Sequence, residues 1–355
     1  MAKKRVLVVG LGNMGMSHAL AYTRIDGFHV AALCERNIAK RQLPKPLGGA
    51  LRYTSFDEAL AATTPDVVSI NTWSDTHAEY AVKSMEAGAH VFIEKPIAET
   101  VAEAELVVAT ARRTGRKLVV GYILRHHPSW TRFIEVARTL GTPLVFRMNL
   151  NQQSSGLQWE AHKRLLQTLS PIVDCGVHYV DVWCQITRAK PVSVHAVGAR
   201  LTGEMPAGMY NYGHFEVQFA DGSVGWYEAG WGPMMSETAF FVKDVIGPKG
   251  SVSIVVEAGG AAAKSADINT HTKTNQILIH HAALNADGSP ARPDERESTQ
   301  DEPDHDQLCE REQRFLLKAI DDDTDLGDHM ADAVKSLRIV LAADESVRTG
   351  KVIAL

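Results

Sequence analysis

Short apolar runs alternate with helix-like stretches over the first 120 or so residues. The runs are Val6–Val9, Val30–Leu33, Val67–Ile70, Val91–Ile93 and Leu118–Val120. Unbroken apolar strands separated by helices predict βαβ units and a parallel sheet covered on both faces. A helix through Ala78, Ala81, Val82 and Met85 follows Asp75 as its cap and stops at Gly88; the stretch Glu99–Arg113 stops at Gly115 in the same way.

After Tyr122 the pattern changes. A helix is expected over Pro128–Leu140, a strand over Leu144–Leu150, and a polar loop carrying Asn151, Gln152 and Gln153. Ser170-Pro171 opens a second helix, with serine as cap and proline in the first turn. His214–Phe219 alternates, turns at Asp221-Gly222 and resumes as Val224–Tyr227, a hairpin. Phe240–Ile246, Val252–Val256 and Gln276–His280 read as further strands. Residues 257–309 contain no aromatic residue and read as surface excursions around one strand, partly mobile. Helices over His305–Ile320 and Gly327–Arg348 close the chain. The expected fold is α/β: a Rossmann domain over residues 1–123, then an α/β domain over 124–355 with an open, mainly antiparallel sheet.

Composition narrows the function. The 355 residues are 45% apolar, and 37 basic against 42 acidic groups leave a net charge of −5. That offers no electrostatic case for nucleic acid or for an anionic membrane. Lys3-Lys4-Arg5 and Val6–Val9 resemble a signal peptide weakly, and the apolar run stops at Gly10. Cys34, Cys175, Cys184 and Cys309 are scattered without C-x-x-C or zinc spacing, so a reducing, cytoplasmic setting is expected. No metal site is expected, because His126-His127 and His280-His281 are neighbour pairs without accompanying carboxylates.

Three constellations carry chemistry. Gly10-Leu11-Gly12-Asn13-Met14-Gly15 follows a strand, opens a helix and is followed by Glu35, the context a dinucleotide fingerprint requires. Glu35 can accept both ribose hydroxyls and favours NAD; Arg36 beside it could pair with a 2′-phosphate, so NADP stays possible. Val91-Phe92-Ile93-Glu94-Lys95-Pro96 ends a strand of the same sheet, where a lysine can meet a reacting oxygen. The strand end Thr72, Trp73, Ser74 and His77 could line the same crevice. On the Ser170 helix, Asp174 and His178 lie four residues apart and share a face, extended by Asp181 and Gln185. The other positions are mostly apolar, which predicts a buried helix showing one polar stripe, with His178 able to take a proton and Asp174 to orient it. Trp159, in a polar loop, is a pocket candidate.

With these pieces in order, the chain resembles the glucose–fructose oxidoreductase / inositol dehydrogenase / MocA family. The resemblance rests on the Gly10–Gly15 loop, Thr76-His77 to Gly88, Glu94-Lys95-Pro96, Arg125 with Pro128, and Asp174 to Asp181. The C-terminal pattern Phe315–Ile320, Ala331-Asp332-Ala333 and Gly350-Lys351-Val352 adds to it. It implies NAD(P)-dependent oxidation of a secondary alcohol on a sugar, sugar derivative or cyclitol, or reduction of the ketone. It implies catalytic roles for Lys95 and His178 with Asp174 assisting, Arg125 near nicotinamide or substrate, and a homodimer or homotetramer. Asn151, Gln153 and Trp159 are further substrate candidates. Thr72-Trp73 departs from the family's usual Thr-Pro, which puts the adenine or diphosphate side in doubt. Two other readings stay open: redox-neutral glycoside cleavage with a retained NAD, and a non-enzymatic sugar or dinucleotide sensor, against which the presence of Lys95, Asp174 and His178 argues.

Overall fold

The computed structural model describes residues 2–236, 242–255, 265, 267, 274–299 and 301–355. Part of the expected strand Phe240–Ile246, the end of Val252–Val256 and much of the segment from 257 to 273 therefore lie outside the described residues. The chain divides into two compact units. The first runs to His126 and also takes in Pro303–Val334; the second is His127–Glu302 with Lys335–Leu355. The sequence boundary at 123/124 lies close to the edge at His126, but residues 303–334 return to the first unit.

In the first unit, β1 (Lys4–Val9), β2 (Phe28–Cys34), β3 (Leu51–Tyr53), β4 (Val67–Ile70), β5 (His90–Ile93) and β6 (Leu118–Val120) form a parallel sheet in the order β3-β2-β1-β4-β5-β6. This is the doubly wound order, whose ligand crevice lies beyond the carboxyl ends of β1 and β4. Every residue of β4 and β6 is buried, as a sheet covered on both faces requires. The helices are α1 (Asn13–Thr23), α2 (Phe56–Thr63), α3 (His77–Glu86) and α4 (Val101–Thr114). Thr100 and Glu103 form a capping box at α4, and Gly115 ends it at φ +66°, in the left-handed region that glycine tolerates. Asp75 does not cap α3. It lies in a short 3₁₀ turn, Ser74–Thr76, and the cap position falls to Thr76, with no side-chain cap bond.

The second unit adds α5 (Pro128–Ala137), β7 (Val145–Gln153), α6 (Leu157–Leu165), α7 (Pro171–Thr187), β8 (Pro191–Ala199), β9 (Tyr212–Phe219), β10 (Val224–Gly232), β11 (Lys243–Gly247), β12 (Gly250–Val255), β13 (Gln276–His281) and β14 (Glu295–Ser298). Helix α8 (His305–Asp321) belongs to the first unit, and α9 (Gly327–Thr349) contributes residues to both; β15 (Ile353–Ala354) closes the chain. The nine-stranded sheet runs β14-β13-β12-β11-β7-β10-β9-β8-β15 and is antiparallel except for the pair β7–β10. Burial alternates along β9 and β12, so one face is covered and the other more open.

Two further expectations are corrected. The region after residue 257 contains two strands, β13 and β14, rather than one. Asn151, Gln152 and Gln153 are not a loop but the end of β7, hydrogen-bonded alongside Gly230–Gly232. A polar strand end is stable there in part because its two glutamines find internal partners. Gln152 Oε1 accepts from Trp231 Nε1 at 2.7 Å, and Gln153 Nε2 donates to the Met235 carbonyl at 2.6 Å.

Candidate active site

The glycine loop is built by contact on two sides and left open on the third. Gly10 adopts φ +80°, and a Cβ there would lie 2.6 Å from the Asn71 carbonyl oxygen. A Cβ on Gly15 would lie 1.9 Å from the Gly10 carbonyl oxygen, whereas one on Gly12 would meet nothing within 4 Å. The outer glycines thus let strand, loop and helix touch, and Gly12 opens onto free space in front of α1. No side chain caps α1, so the first-turn N–H groups, including those of Asn13 and Met14, remain for an anion. Glu35 follows β2 and is half-buried, with Oε2 accepting from Leu11 N at 2.9 Å. This holds the carboxylate at the loop. Arg36 is exposed beside it. These residues fit a dinucleotide.

Around the β4 end, Trp73 is 51% exposed and Thr72 half-buried, with Thr72 Oγ1 and Thr76 Oγ1 2.7 Å apart. Ser74 Oγ donates to Glu99 at 3.2 Å. His77 is buried between two carbonyls, Pro96 O at 2.7 Å and Thr72 O at 3.1 Å, so it ties the β4 and β5 loops to each other. Burial holds its imidazole below the ordinary range. At the β5 end the three neighbours separate. Glu94 turns inward, with Oε1 2.8 Å from His18 Nε2 and Oε2 accepting from Lys95 N at 3.2 Å. Lys95 is half-buried and Pro96 buried. Arg125 is pinned by Asp332, Nη2 to Oδ2 2.9 Å, with its guanidinium carbon 5.9 Å from the centroid of the Tyr122 ring.

In the second unit, Ser170 caps α7 through Val173 N at 3.2 Å. From Pro171 to Ile186 only Asp174, His178 and Gln185 are not buried. The narrow polar stripe expected from the sequence is present, with buried Asp181 accepting from Gln185 Nε2 at 3.0 Å. Gly176 allows the helix to approach β10: a Cβ there would lie 3.1 Å from the Tyr227 ring. Cys175 Sγ lies 3.7 Å from Asp174 Oδ2 and 3.5 Å from Gln152 Oε1. Asn151 is buried at the end of β7. Trp159 is buried on α6, not in a loop, with Lys163 Nζ 5.8 Å from its ring centroid.

Lys243 carried no signal in the sequence pattern, although a lysine interrupting an apolar strand was the available clue. It is 1% exposed, donates to the Asn149 carbonyl, and its Nζ lies 4.5 Å from the Tyr179 ring centroid. Burial drives its ammonium well below the ordinary range. All four cysteines are free and buried. Among the described residues no helix is long and apolar enough to cross a membrane.

Strand order, glycine loop and acid after β2 define a Rossmann dinucleotide-binding protein joined to a second sheet. The chain belongs to the Gfo/Idh/MocA oxidoreductase family: residues 4–122 match the oxidoreductase family's NAD-binding Rossmann fold, and residues 136–253 match its C-terminal domain. A glycosyl hydrolase family 109 protein of Shewanella baltica (strain OS155 / ATCC BAA-1091) is 32% identical over 126 residues, 33% of this chain. The match spans only 28% of that relative's length. The D-glucoside 3-dehydrogenase of Escherichia coli (strain K12) is 24% identical over 307 residues, covering 78% of this chain and 87% of the relative. The fold is also that of the WlbA dehydrogenase from Bordetella pertussis, solved in complex with NADH and UDP-GlcNAcA. The TM-score is 0.77 at 19% identity, over 100% of this chain and 99% of that one.

Proposed function

We propose that the protein is an NAD-dependent dehydrogenase that interconverts a secondary alcohol and a ketone on a sugar, sugar derivative or cyclitol. The observation that carries this reading is the half-exposed Asp174–His178 stripe on an otherwise buried helix, in a chain with an NAD-binding loop. The likeness to a D-glucoside 3-dehydrogenase over 78% of the chain supports the substrate class.

In this reading the first unit holds the cofactor and the second the substrate. Bound NAD supplies the hydride acceptor. The His178 imidazole accepts the hydroxyl proton, and the neighbouring Asp174 carboxylate stabilises the imidazolium that forms. The Lys95 ammonium donates to the same oxygen and stabilises the developing alkoxide, typically a large catalytic contribution. Arg125, held in place by Asp332, flanks the nicotinamide or the substrate. Asn151, Gln153 and Trp159 contribute to the sugar site. Glu35 sets the preference for NAD over NADP.

An absorbance screen for NADH across sugars and cyclitols tests the function. No NADH formation with any of them, in a protein that binds NADH, would overturn it. Titration with both cofactors tests Glu35: tighter NADPH binding would mean Arg36 decides instead. The glycosidase relative supports a second reading, in which NAD stays bound and the sugar is oxidised and re-reduced in one cycle. Glycoside cleavage without added NAD would select it.

The open face of the nine-stranded sheet exposes Val145, Val192, Val197, Val224 and Ile246. Pairing of this face between subunits gives a homodimer or homotetramer; light scattering showing a monomer at micromolar concentration would refute it.

A further inference from the structure

A second constellation of ligating side chains lies wholly inside the first unit, apart from every residue assigned to the reaction except Glu94. Helix α8 presents His305, Cys309, Glu312 and Gln313 along one face, a spacing of one and two turns, and all four are buried. Helix α1 contributes His18, which is 0% exposed. Ligand atoms of His18, Cys309 and Glu312 all lie within 4.8 Å of one another. Cys309 Sγ is 3.9 Å from both ring nitrogens of His305.

Hydrogen bonds fix the His18 ring. Gln313 Nε2, which can only donate, lies 3.0 Å from Nδ1, so Nδ1 carries the lone pair. Nε2–H then donates to Glu94 Oε1 at 2.8 Å. A ring with one N–H on a carboxylate and the other nitrogen's lone pair free of its proton is the arrangement that orients metal-ligating histidines.

The independent observation is Glu312. It is 1% exposed, and neither carboxylate oxygen has a hydrogen-bond partner among the described residues. A buried acceptor left this way is costly, and native proteins rarely keep one without an ion or water to satisfy it. Gln313 Oε1 is also buried without a partner, so the amide beside Nδ1 is weakly anchored and displaceable.

We propose that His18 Nδ1, Cys309 Sγ and Glu312, with His305 completing the shell, form a structural zinc site that staples α8 to α1. The donor set selects the metal. One thiolate, imidazoles and a carboxylate suit zinc, whereas magnesium and calcium take oxygen ligands only. Zinc bonds of about 2.0–2.3 Å require the present donors to draw together slightly by rotamer changes. Four protein ligands with no exposed position make the site structural rather than catalytic. Binding replaces the Cys309 proton and leaves the thiolate on the metal.

The test uses the full-length chain, unfolded and refolded with and without zinc, because a sealed site exchanges slowly. The expected results are one zinc per chain by mass spectrometry, a higher melting temperature for the zinc-refolded protein, and a thiolate-to-cobalt charge-transfer band on refolding with cobalt. Cys309→Ser should abolish that band. Glu312→Leu decides by its sign, even if the serine variant fails to fold. If zinc binds, the variant loses metal and melts lower; if the carboxyl is merely buried, its removal raises the melting temperature. Wild-type protein that refolds without zinc uptake or a cobalt–thiolate band overturns the proposal, as does a stabilised Glu312→Leu.

Discussion

Helix α7 and helix α8 each place a histidine among acids, and their surroundings differ. On α7, Asp174 and His178 stand half-exposed along a stripe of an otherwise buried helix. Under α8, His18, Cys309 and Glu312 are buried completely. A histidine open to solvent can exchange its proton with an arriving hydroxyl group on every turnover. A sealed one can only keep a partner acquired as the chain folded. The same residue types therefore suit turnover in one place and cohesion in the other, and exposure decides between them.

The sharpest test of this division is catalytic. Lys95→Met and His178→Ala should each lower kcat by about 10²–10⁴-fold with the true substrate while NADH binding and melting temperature hold. His178→Ala should also erase the fall of alcohol oxidation at acid pH. Near-parental rates in both variants would make the α7 stripe structural.

The glycine loop repeats the contrast on a smaller scale. Gly15→Ala drives a Cβ into the Gly10 carbonyl and should destabilise the protein by about 1–3 kcal/mol in denaturant titration. Gly12→Ala meets no protein atom, so stability should hold while NADH affinity falls about tenfold, roughly 1.4 kcal/mol. Equal effects on stability would break the distinction.

The smallest effect concerns His162 on α6, whose ring stacks on Trp231 with centroids 4.6 Å apart. Burial lowers its pKa from 6.5 to about 4. Below pH 6.5 the unfolded chain takes up a proton that the folded chain refuses, so stability is full above that pH and falls towards pH 4. The melting temperature should decline over this window, and His162→Gln should flatten the decline.

These sites differ in how far the sequence disclosed them. β1, β2 and β4–β6 were legible because a sheet covered on both faces needs unbroken apolar runs. α7 was legible because a helix apolar at nearly every position must be buried on all sides but the one its few polar residues occupy. β3 was not, since Leu51 and Arg52 are exposed at an edge. β8 escaped notice because its alternation is irregular. Gln152 and Gln153 misled because their partners, Trp231 and Met235, lie far along the chain. His18 and Cys309 could not be joined by spacing at all: only the return of α8 to the first unit brings them together. Asp332 stood within a recognised C-terminal pattern, but its pairing with Arg125 required the fold.

The return of residues 303–334 to the first unit also bears on how the protein is made. During synthesis the parallel sheet emerges early, yet it lacks α8 until translation has passed Asp321. The second unit likewise waits for Lys335–Leu355, including β15 at the edge of its sheet. The first unit has all its residues only at Val334 and the second only at Leu355, so a nascent chain halted near Pro303 carries two incomplete bodies. Such arrested chains should depend on chaperones and be cleared by proteases, and the stretch from Pro303 to Leu355 completes first one unit and then the other.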